Sequence, residues 1–345
     1  MFFVPVVSSA GKPLMPTSNW RADELIRKGK ALRRFSKGVF YIRLTQRADG
    51  DVQVVAVGID PGSKKEGFTV KSADHTYLNI QADAVTWVKD AVETRRMLRH
   101  SRRNRNTPCR QNRFNRARGG LPPSTKARFQ WKVRLTTWLS KLYPISKIVV
   151  EDIKAHCFGG RRWNRSFSPL QIGKKWFYEQ LAKIAPVGTL QGYETYELRN
   201  NMGLKKTKAK MSEVFEAHCV DSWTLANYWT GGHTKPDNKE MVFVTPLQFS
   251  RRQLHVQNPI EGGIRKQYGG TRSMGFKRGS WVQHPKCGTC FVGGASKGRV
   301  SLHNLCGGKR LTQNAKTEDI AFLHFASWRA TFPPRPKVRG FSVAA

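Results

Sequence analysis

The chain has 345 residues, enough to bury a substantial core and to form two or three units. Lys plus Arg number 61 against 23 for Asp plus Glu, a formal net charge of +38, and a folded chain with that excess repels itself unless a polyanion neutralises it. No run of 18 apolar residues is present, so a spanning helix is excluded and nucleic acid, not membrane, is the expected partner. Six cysteines accompany an apolar start, Met1–Val7, that lacks a basic flank and reads as a strand and not a secretory leader. A reducing compartment without disulfides is expected.

Residues 1–50 read as a small opening module. Phe2–Val7 is expected as a strand, Lys12-Pro13-Leu14-Met15-Pro16 as a proline-punctuated turn, Asn19–Gly29 as a helix and Phe40–Leu44 as a second strand. Val52–Asp60 then reads as a buried strand, with Gly67–Lys71 and Tyr77–Ala84 as its neighbours. Asp90–Arg118 is studded with Arg95, Arg96, Arg99, Arg102, Arg103, Arg105, Arg110, Arg113, Arg116 and Arg118. Their spacings of three and four predict a helix with guanidiniums on shared faces. Gly119–Pro123 ends it, and Ser124 caps a helix carrying Phe129, Trp131, Leu135, Trp138 and Leu142. Ile145–Glu151 is the next buried strand. Ser168–Ala185 is expected as helix, Leu190–Tyr196 as strand and Ser212–Tyr228 as an amphipathic helix. Three strands, helix, strand, helix, strand, helix is the order of an α/β fold of ribonuclease-H type, with the arginine segment inserted. Beyond Met241 the runs Val242–Thr245, Ser280–Gln283, Cys290–Val292 and Arg299–His303 read as a basic, β-rich module, and Arg335–Ala345 as a loose terminus.

Three acidic stations stand out. Asp60 closes the first buried strand before Pro61-Gly62, Glu151 closes the second, and Asp221 lies three residues after His218 on the last helix. Phosphodiester hydrolysis must activate water and stabilise a leaving oxygen, which two divalent ions do well. Mg²⁺ takes oxygen ligands, so carboxylates from separate elements must converge. The expected metal ligands are Asp60, Glu151 and Asp221, with His218 as a fourth catalytic residue that orients or deprotonates water. Asp before Pro-Gly also occurs in plain turns. Glu151 also suits a helix cap, and Asp152 is its rival because adjacent strand residues face opposite ways. The arginine helix matches phosphate through bidentate guanidinium forks and is expected to bind RNA. Trp163 and Phe167 suit base stacking or packing equally. Arg251, Arg252, Arg265, Lys266, Arg272, Lys277 and Arg278 are available to grip nucleic acid in the last module. Cys287, Cys290, His303 and Cys306 form a C-x2-C-x12-H-x2-C spacing that suits zinc. Cys290 falls in an apolar strand, however, so packed thiols are the larger expectation and zinc the lesser.

Gly58-Ile59-Asp60-Pro61-Gly62-Ser63, Val149-Val150-Glu151 and His218-Cys219-Val220-Asp221 resemble the three split RuvC motifs of transposon-encoded RNA-guided nucleases. Lys12-Pro13-Leu14-Met15-Pro16 resembles the motif that names the PLMP domain of the IscB group. The arginine segment resembles the group's bridge helix, and Lys297–His303 a run in its C-terminal module. IscB proteins carry an HNH nuclease between the second and third motifs; only residues 152–217 lie there in this chain, without a His-Asn-His pattern. The chain is therefore similar to IsrB, the HNH-less relatives. The resemblance implies a PLMP domain at 1–50, RuvC parts at 51–88 and 121–235, a bridge helix at 89–120 and a C-terminal RNA- and target-motif-binding module at 236–345. It implies a nickase that uses a guide omega RNA to open duplex DNA beside an adjacent motif and cuts the displaced strand. Two Mg²⁺ ions, with Mn²⁺ as substitute, and a monomer within a cytoplasmic prokaryotic ribonucleoprotein are expected, nucleoid-associated when on DNA. A structure-selective junction resolvase and a non-enzymatic RNA-binding protein remain the competing readings.

Overall fold

The apolar runs of the first fifty residues fold as β1 (Phe3–Val7), β2 (Pro13–Ser18), β3 (Ala31–Ser36) and β4 (Val39–Leu44), with α1 (Asn19–Arg27) between β2 and β3. The structure, a computed structural model, describes residues 3–105, 121, 123–152, 169–247 and 272–331. The sheet order is β2-β1-β4-β3, and Val4, Val6, Leu14, Ala22, Ala31 and Ile42 form its core against α1. Ser18 caps α1 by accepting from the Arg21 amide at 3.3 Å. One expectation fails here. Lys12–Pro16 is not a turn: from Pro13 onward it is strand β2. β2 lies at the sheet edge, where a proline breaks no ladder between two neighbours.

The central sheet is built from β5 (Val55–Asp60), β6 (Lys65–Lys71), β7 (Thr76–Asp83), β8 (Ile145–Asp152) and β9 (Val187–Gln191), in the order β7-β6-β5-β8-β9. β5, β6 and β7 form an antiparallel meander, while β8 runs parallel to β5, and β9 to β8. That order and those directions are the ribonuclease-H-like arrangement. β5 is buried along its whole length, which explains its unbroken apolar run. Val52 and Val54 are exposed and precede the strand. Met241–Phe243, the start of β10 (Met241–Pro246), flanks β7. The helices are α2 (Val88–Asn104), α3 (Pro123–Leu139), α4 (Lys174–Ala182), α5 (Gly192–Asn201) and α6 (Phe215–Thr230).

Two glycines set the height of α6 above the sheet. A Cβ on Gly58 would lie 1.8 Å from the Ser222 carbonyl oxygen, and one on Gly67 would lie 2.4 Å from that of His218. The helix therefore rests directly on the backbones of β5 and β6. Lys71 at the far end of β6 donates to Asn227 Oδ1, Thr230 Oγ1 and the Gly231 carbonyl at 2.6, 3.0 and 2.8 Å. Three acceptors satisfy its three protons and pin the helix C-terminus, whose dipole favours a cation.

Two more expectations are corrected. The expected strand Leu190–Tyr196 stops at Gln191, and α5 begins at Gly192. Glu194 accepts from the Gln191 amide at 2.6 Å, a helix-start signal within a stretch whose tyrosines favour strands. The expected helix 168–185 is described from 169, as a short turn at Pro169–Gln171 and then α4. Gly173 divides them with φ +97, and a Cβ there would lie 2.8 Å from Leu121 Cδ1 and 3.2 Å from Phe129 Cε2.

The chain divides into one compact unit of residues 1–35 and 40–243 and a second of residues 36–39 and 244–345. The second contains β11 (Arg272–Ser273), β12 (Phe276–Lys277), β13 (Ser280–His284), β14 (Gly288–Ser296), β15 (Arg299–Asn304), β16 (Arg310–Ala315), β17 (Ala321–Phe325) and β18 (Trp328–Thr331). An antiparallel sheet ordered β16-β15-β14-β13-β17 encloses Val282, Cys290, Val292, Val300, Leu302, Ala315 and Ile320. Among the described residues no helix is long and apolar enough to cross a membrane.

Candidate metal centre and nucleic-acid surface

Strand alternation decides what faces α6. Gly58 touches α6, so Asp60, two residues on, faces the same way. On β8, Val149 packs with Leu225 of α6 and Leu190 of β9, so Glu151 shares that face. Asp152 points to the other side, where Lys174 Nζ, Tyr178 Oη and Gln191 Nε2 donate to it at 2.8, 3.0 and 3.4 Å. The two rivals are thus placed apart: Glu151 lies with Asp60, and Asp152 ties α4 to β8.

Asp221 comes down from α6 to complete the group. One carboxylate oxygen each from Asp60, Glu151 and Asp221 lie within 4.8 Å of one another, the single such cluster among the described residues. Asp60 and Asp221 are 5% and 1% exposed. Burial pushes Glu151 up to about 8, and the nearby Asp60 carboxylate adds to the shift. Burial would raise Asp60 too, but the His218 hydrogen bond and the Lys206 charge hold it below its usual value. Ionising Glu151 beside the Asp60 carboxylate is therefore disfavoured while no positive charge lies between them. Such crowded charge favours a cation. An all-oxygen set drawn from three elements fits Mg²⁺ or Mn²⁺, not a thiolate-seeking metal.

His218 sits one turn before Asp221. Its Nε2 donates to the Lys210 carbonyl at 2.9 Å, and its Nδ1 faces Asp60 Oδ2 at 3.4 Å. With Nε2–H engaged by a carbonyl, Nδ1 is the nitrogen open to proton exchange. Burial would lower the His218 pKa, yet the Asp60 carboxylate outweighs it and raises the ring above its usual value.

Two cations at this centre were not singled out from the sequence. Arg199 of α5 and Lys206 of the following loop both hydrogen-bond Asp221, through Oδ1 and Oδ2. Burial alone would lower Lys206, but Asp60 and Asp221 raise it above the ordinary lysine value. The expected strand Leu190–Tyr196 leaves Arg199 and Lys206 outside any element, so nothing in the sequence aims either side chain at Asp221. A second buried pair lies beside the centre: Lys132 Nζ of α3 donates to Glu66 Oε1 at 2.5 Å. Burial still pushes Glu66 up to about 7 despite that lysine.

Of the expected RNA-binding arginines, Arg96, Arg99, Arg103 and Arg105 are exposed on or just after α2. Arg96 makes a 3.7 Å pair with Glu93. Val92, Met97 and Leu98 of α2 are exposed as well. Arg95 and Arg102 also belong to α2. Arg110, Arg113, Arg116, Arg118, Trp163, Phe167, Arg251, Arg252, Arg265, Lys266 and the 335–345 terminus lie outside the described residues.

The sulfur-rich quartet does not come together. Cys290 is in the apolar core of the second unit, and Cys287 packs against it. His303 pairs across the ladder with Phe291, the neighbour of Cys290, so it occupies the opposite sheet face and stacks on that ring. Its Nε2 meets Ser301 Oγ and its Nδ1 the Gly308 carbonyl, both at 3.0 Å. Cys306 is exposed.

Residues 4–157 match the model of the family described as RRXRR protein. No curated protein matches the chain. Among solved structures it is similar to T. thermophilus RuvC in complex with Holliday junction substrate, with 12% identity, 52% of this chain and 98% of that chain covered, and a TM-score of 0.29. It is also similar to a CRISPR-Cas12f ternary complex determined by cryo-EM, with 13% identity, 63% and 50% coverage, and a TM-score of 0.31. The chain thus spans half the length of that Cas12f chain.

Proposed function

We propose that the protein is an RNA-guided DNA nickase of the IsrB kind, with one divalent-metal RuvC-type centre at Asp60, Glu151 and Asp221. The observation that carries the nuclease reading is the convergence of these three carboxylates, two of them buried, from β5, β8 and α6 within 4.8 Å. Guide-RNA dependence is supported by the exposed arginines of α2, the +38 charge and the match over residues 4–157 to a family found in IscB- and IsrB-like proteins. RNA-guided effectors delegate sequence to base pairing and hold the heteroduplex by its backbone, which suits the exposed arginines on and just after α2.

Bound divalent ions supply Lewis acidity and an activated water. The residues of the chain do the rest. Asp60, Glu151 and Asp221 would hold those ions at the ends of β5 and β8 beneath α6. Arg199 holds Asp221 in one orientation from behind. His218 takes or returns a proton at Nδ1 while the Lys210 carbonyl fixes the ring. The test is nicking of matched duplex DNA by the purified ribonucleoprotein in Mg²⁺. Wild type is expected to cut only with its guide, and Asp60→Asn is expected to bind target yet cut none. Guided cutting by Asp60→Asn overturns the assignment of the centre, and cutting without a guide revives the resolvase reading.

A further inference from the structure

α5 starts beside the acid cluster. A Cβ built on Gly192, its first residue, would lie 3.5 Å from Glu151 Oε1. Tyr193, Tyr196 and Arg199 follow at intervals of three, which places them along one side of the helix. The far end of this row is anchored: Arg199 is buried against Asp221, and its guanidinium lies 5.4 Å from the Tyr196 ring centroid. The two tyrosines are 64% and 55% exposed. A single exposed ring is ordinary. Two successive exposed rings that lead from one catalytic carboxylate to the partner of another call for a ligand with flat faces.

The loop after α5 adds the matching charge. Lys205, Lys208 and Lys210 are exposed there, and the Lys210 backbone holds His218. An aromatic row beside a lysine-rich loop is the composition that binds unpaired nucleic acid: rings stack on bases and ammonium groups follow phosphates. A duplex cannot use the rings, because its bases are already stacked on each other.

We infer that Tyr193 and Tyr196 stack the bases of single-stranded DNA next to the scissile phosphate, and that the Lys205–Lys210 loop carries the neighbouring phosphates. The inference rests on the nuclease reading and deepens it by naming what selects an unpaired strand. Stacking fixes the register of the strand, so the two tyrosines act on substrate capture while the carboxylates act on the bond.

The experiment uses the guided ribonucleoprotein in Mg²⁺ and a series of duplexes whose non-target strand is already unpaired across the protospacer. Wild type must cut for the test to run, and a wild type that does not cut overturns the nuclease reading itself. With cutting established, Tyr193→Ala/Tyr196→Ala is expected to raise KM for the unpaired strand by about thirtyfold or more with kcat within about twofold. Tyr193→Phe/Tyr196→Phe should keep the wild-type KM, whereas Tyr193→Leu/Tyr196→Leu should behave like the alanine pair. Thermal melts confirm that each variant is folded. Photocrosslinking of 5-iododeoxyuridine in the cut strand should map to Tyr193 or Tyr196. An unchanged KM in the alanine pair, full rescue by leucine, or crosslinks from these tyrosines to guide RNA instead of DNA would overturn the inference.

Discussion

At the scale of single residues, the pleat of β8 separates two carboxylates that the sequence leaves equivalent. Glu151→Gln is expected to reduce cleavage by more than about 100-fold, beyond the usual loss when an outer partner of a metal ligand is removed. Asp152→Asn should leave the cleavage rate within a few fold and lower the melting temperature instead, because it weakens the bonds from Lys174 and Tyr178. Quantifying nicked product and melting each variant checks both outcomes. Glu66 gives a pH signature in stability. It ionises near 4.5 in the unfolded chain and near 7 in the fold, where burial opposes its charge. Between those values the folded state keeps a proton that the unfolded state has lost. Stability from this group therefore falls as pH rises from 4.5 to 7, by roughly 3 kcal/mol at most. Glu66→Gln removes the titration but retains an oxygen acceptor for Lys132. The difference in urea-unfolding free energy between wild type and Glu66→Gln should move in favour of the variant across that window and be flat above it. Asp60, Glu151, His218 and Asp221 could be named as candidates at this scale because their residue types and places suit the chemistry proposed, and the fold brings them together. Arg199 and Lys206 could not, since their pairing with Asp221 exists only once α5, the loop after it and α6 are packed.

At the scale of elements, the fold was legible where burial is continuous and obscure where local signals conflict. β5 and β8 announce themselves as apolar runs ending in acids. β2 does not, because Pro13 and Pro16 read as punctuation until the edge position is known. α5 is obscured because its tyrosines and threonine favour strands, and the capping contact of Glu194 outweighs them. The decisive contact is the seat of α6 on β5 and β6. His218 and Asp221 reach Asp60 only because Gly58 and Gly67 offer no side chain between helix and sheet. Gly58→Ala would drive a methyl group into the Ser222 carbonyl, a backbone atom that moves only with the helix. The expected result is a destabilisation of about 3 kcal/mol or more, at the upper end for an overpacked core. Cleavage should fall more than target binding, because α6 carries two residues of the centre and α2 carries the exposed arginines. Denaturant melts and a paired binding and nicking assay measure the two effects. Equal loss of binding and cleavage would mean that the helix seat supports the whole molecule and not the centre in particular.

At the scale of the whole molecule, a charge of +38 and one carboxylate cluster among the described residues lead to one expectation about the product. The excess of cations needs a large polyanion, and on the proposed reading a structured guide RNA supplies it throughout the reaction cycle. RNA pairing with the target strand then turns that strand into a heteroduplex held along its backbone, which leaves the displaced strand unpaired. A phosphate inside a heteroduplex is fixed by helical geometry and cannot also enter a buried cluster at the ends of β5 and β8. The displaced strand has no such constraint. Cutting the second strand would require either another metal-binding group or release and re-docking of the paired strand. The expected outcome on a matched duplex labelled differently on each strand is therefore a nick in the displaced strand, with the guide-paired strand intact over the same period. Nicking should also weaken steeply as salt rises, because the contacts that hold both nucleic acids release counterions. Rapid cleavage of both strands at equal rates by a monomeric complex would sink the single-centre reading. If the active complex instead held two copies of the chain arranged about a junction, the resolvase alternative would be favoured.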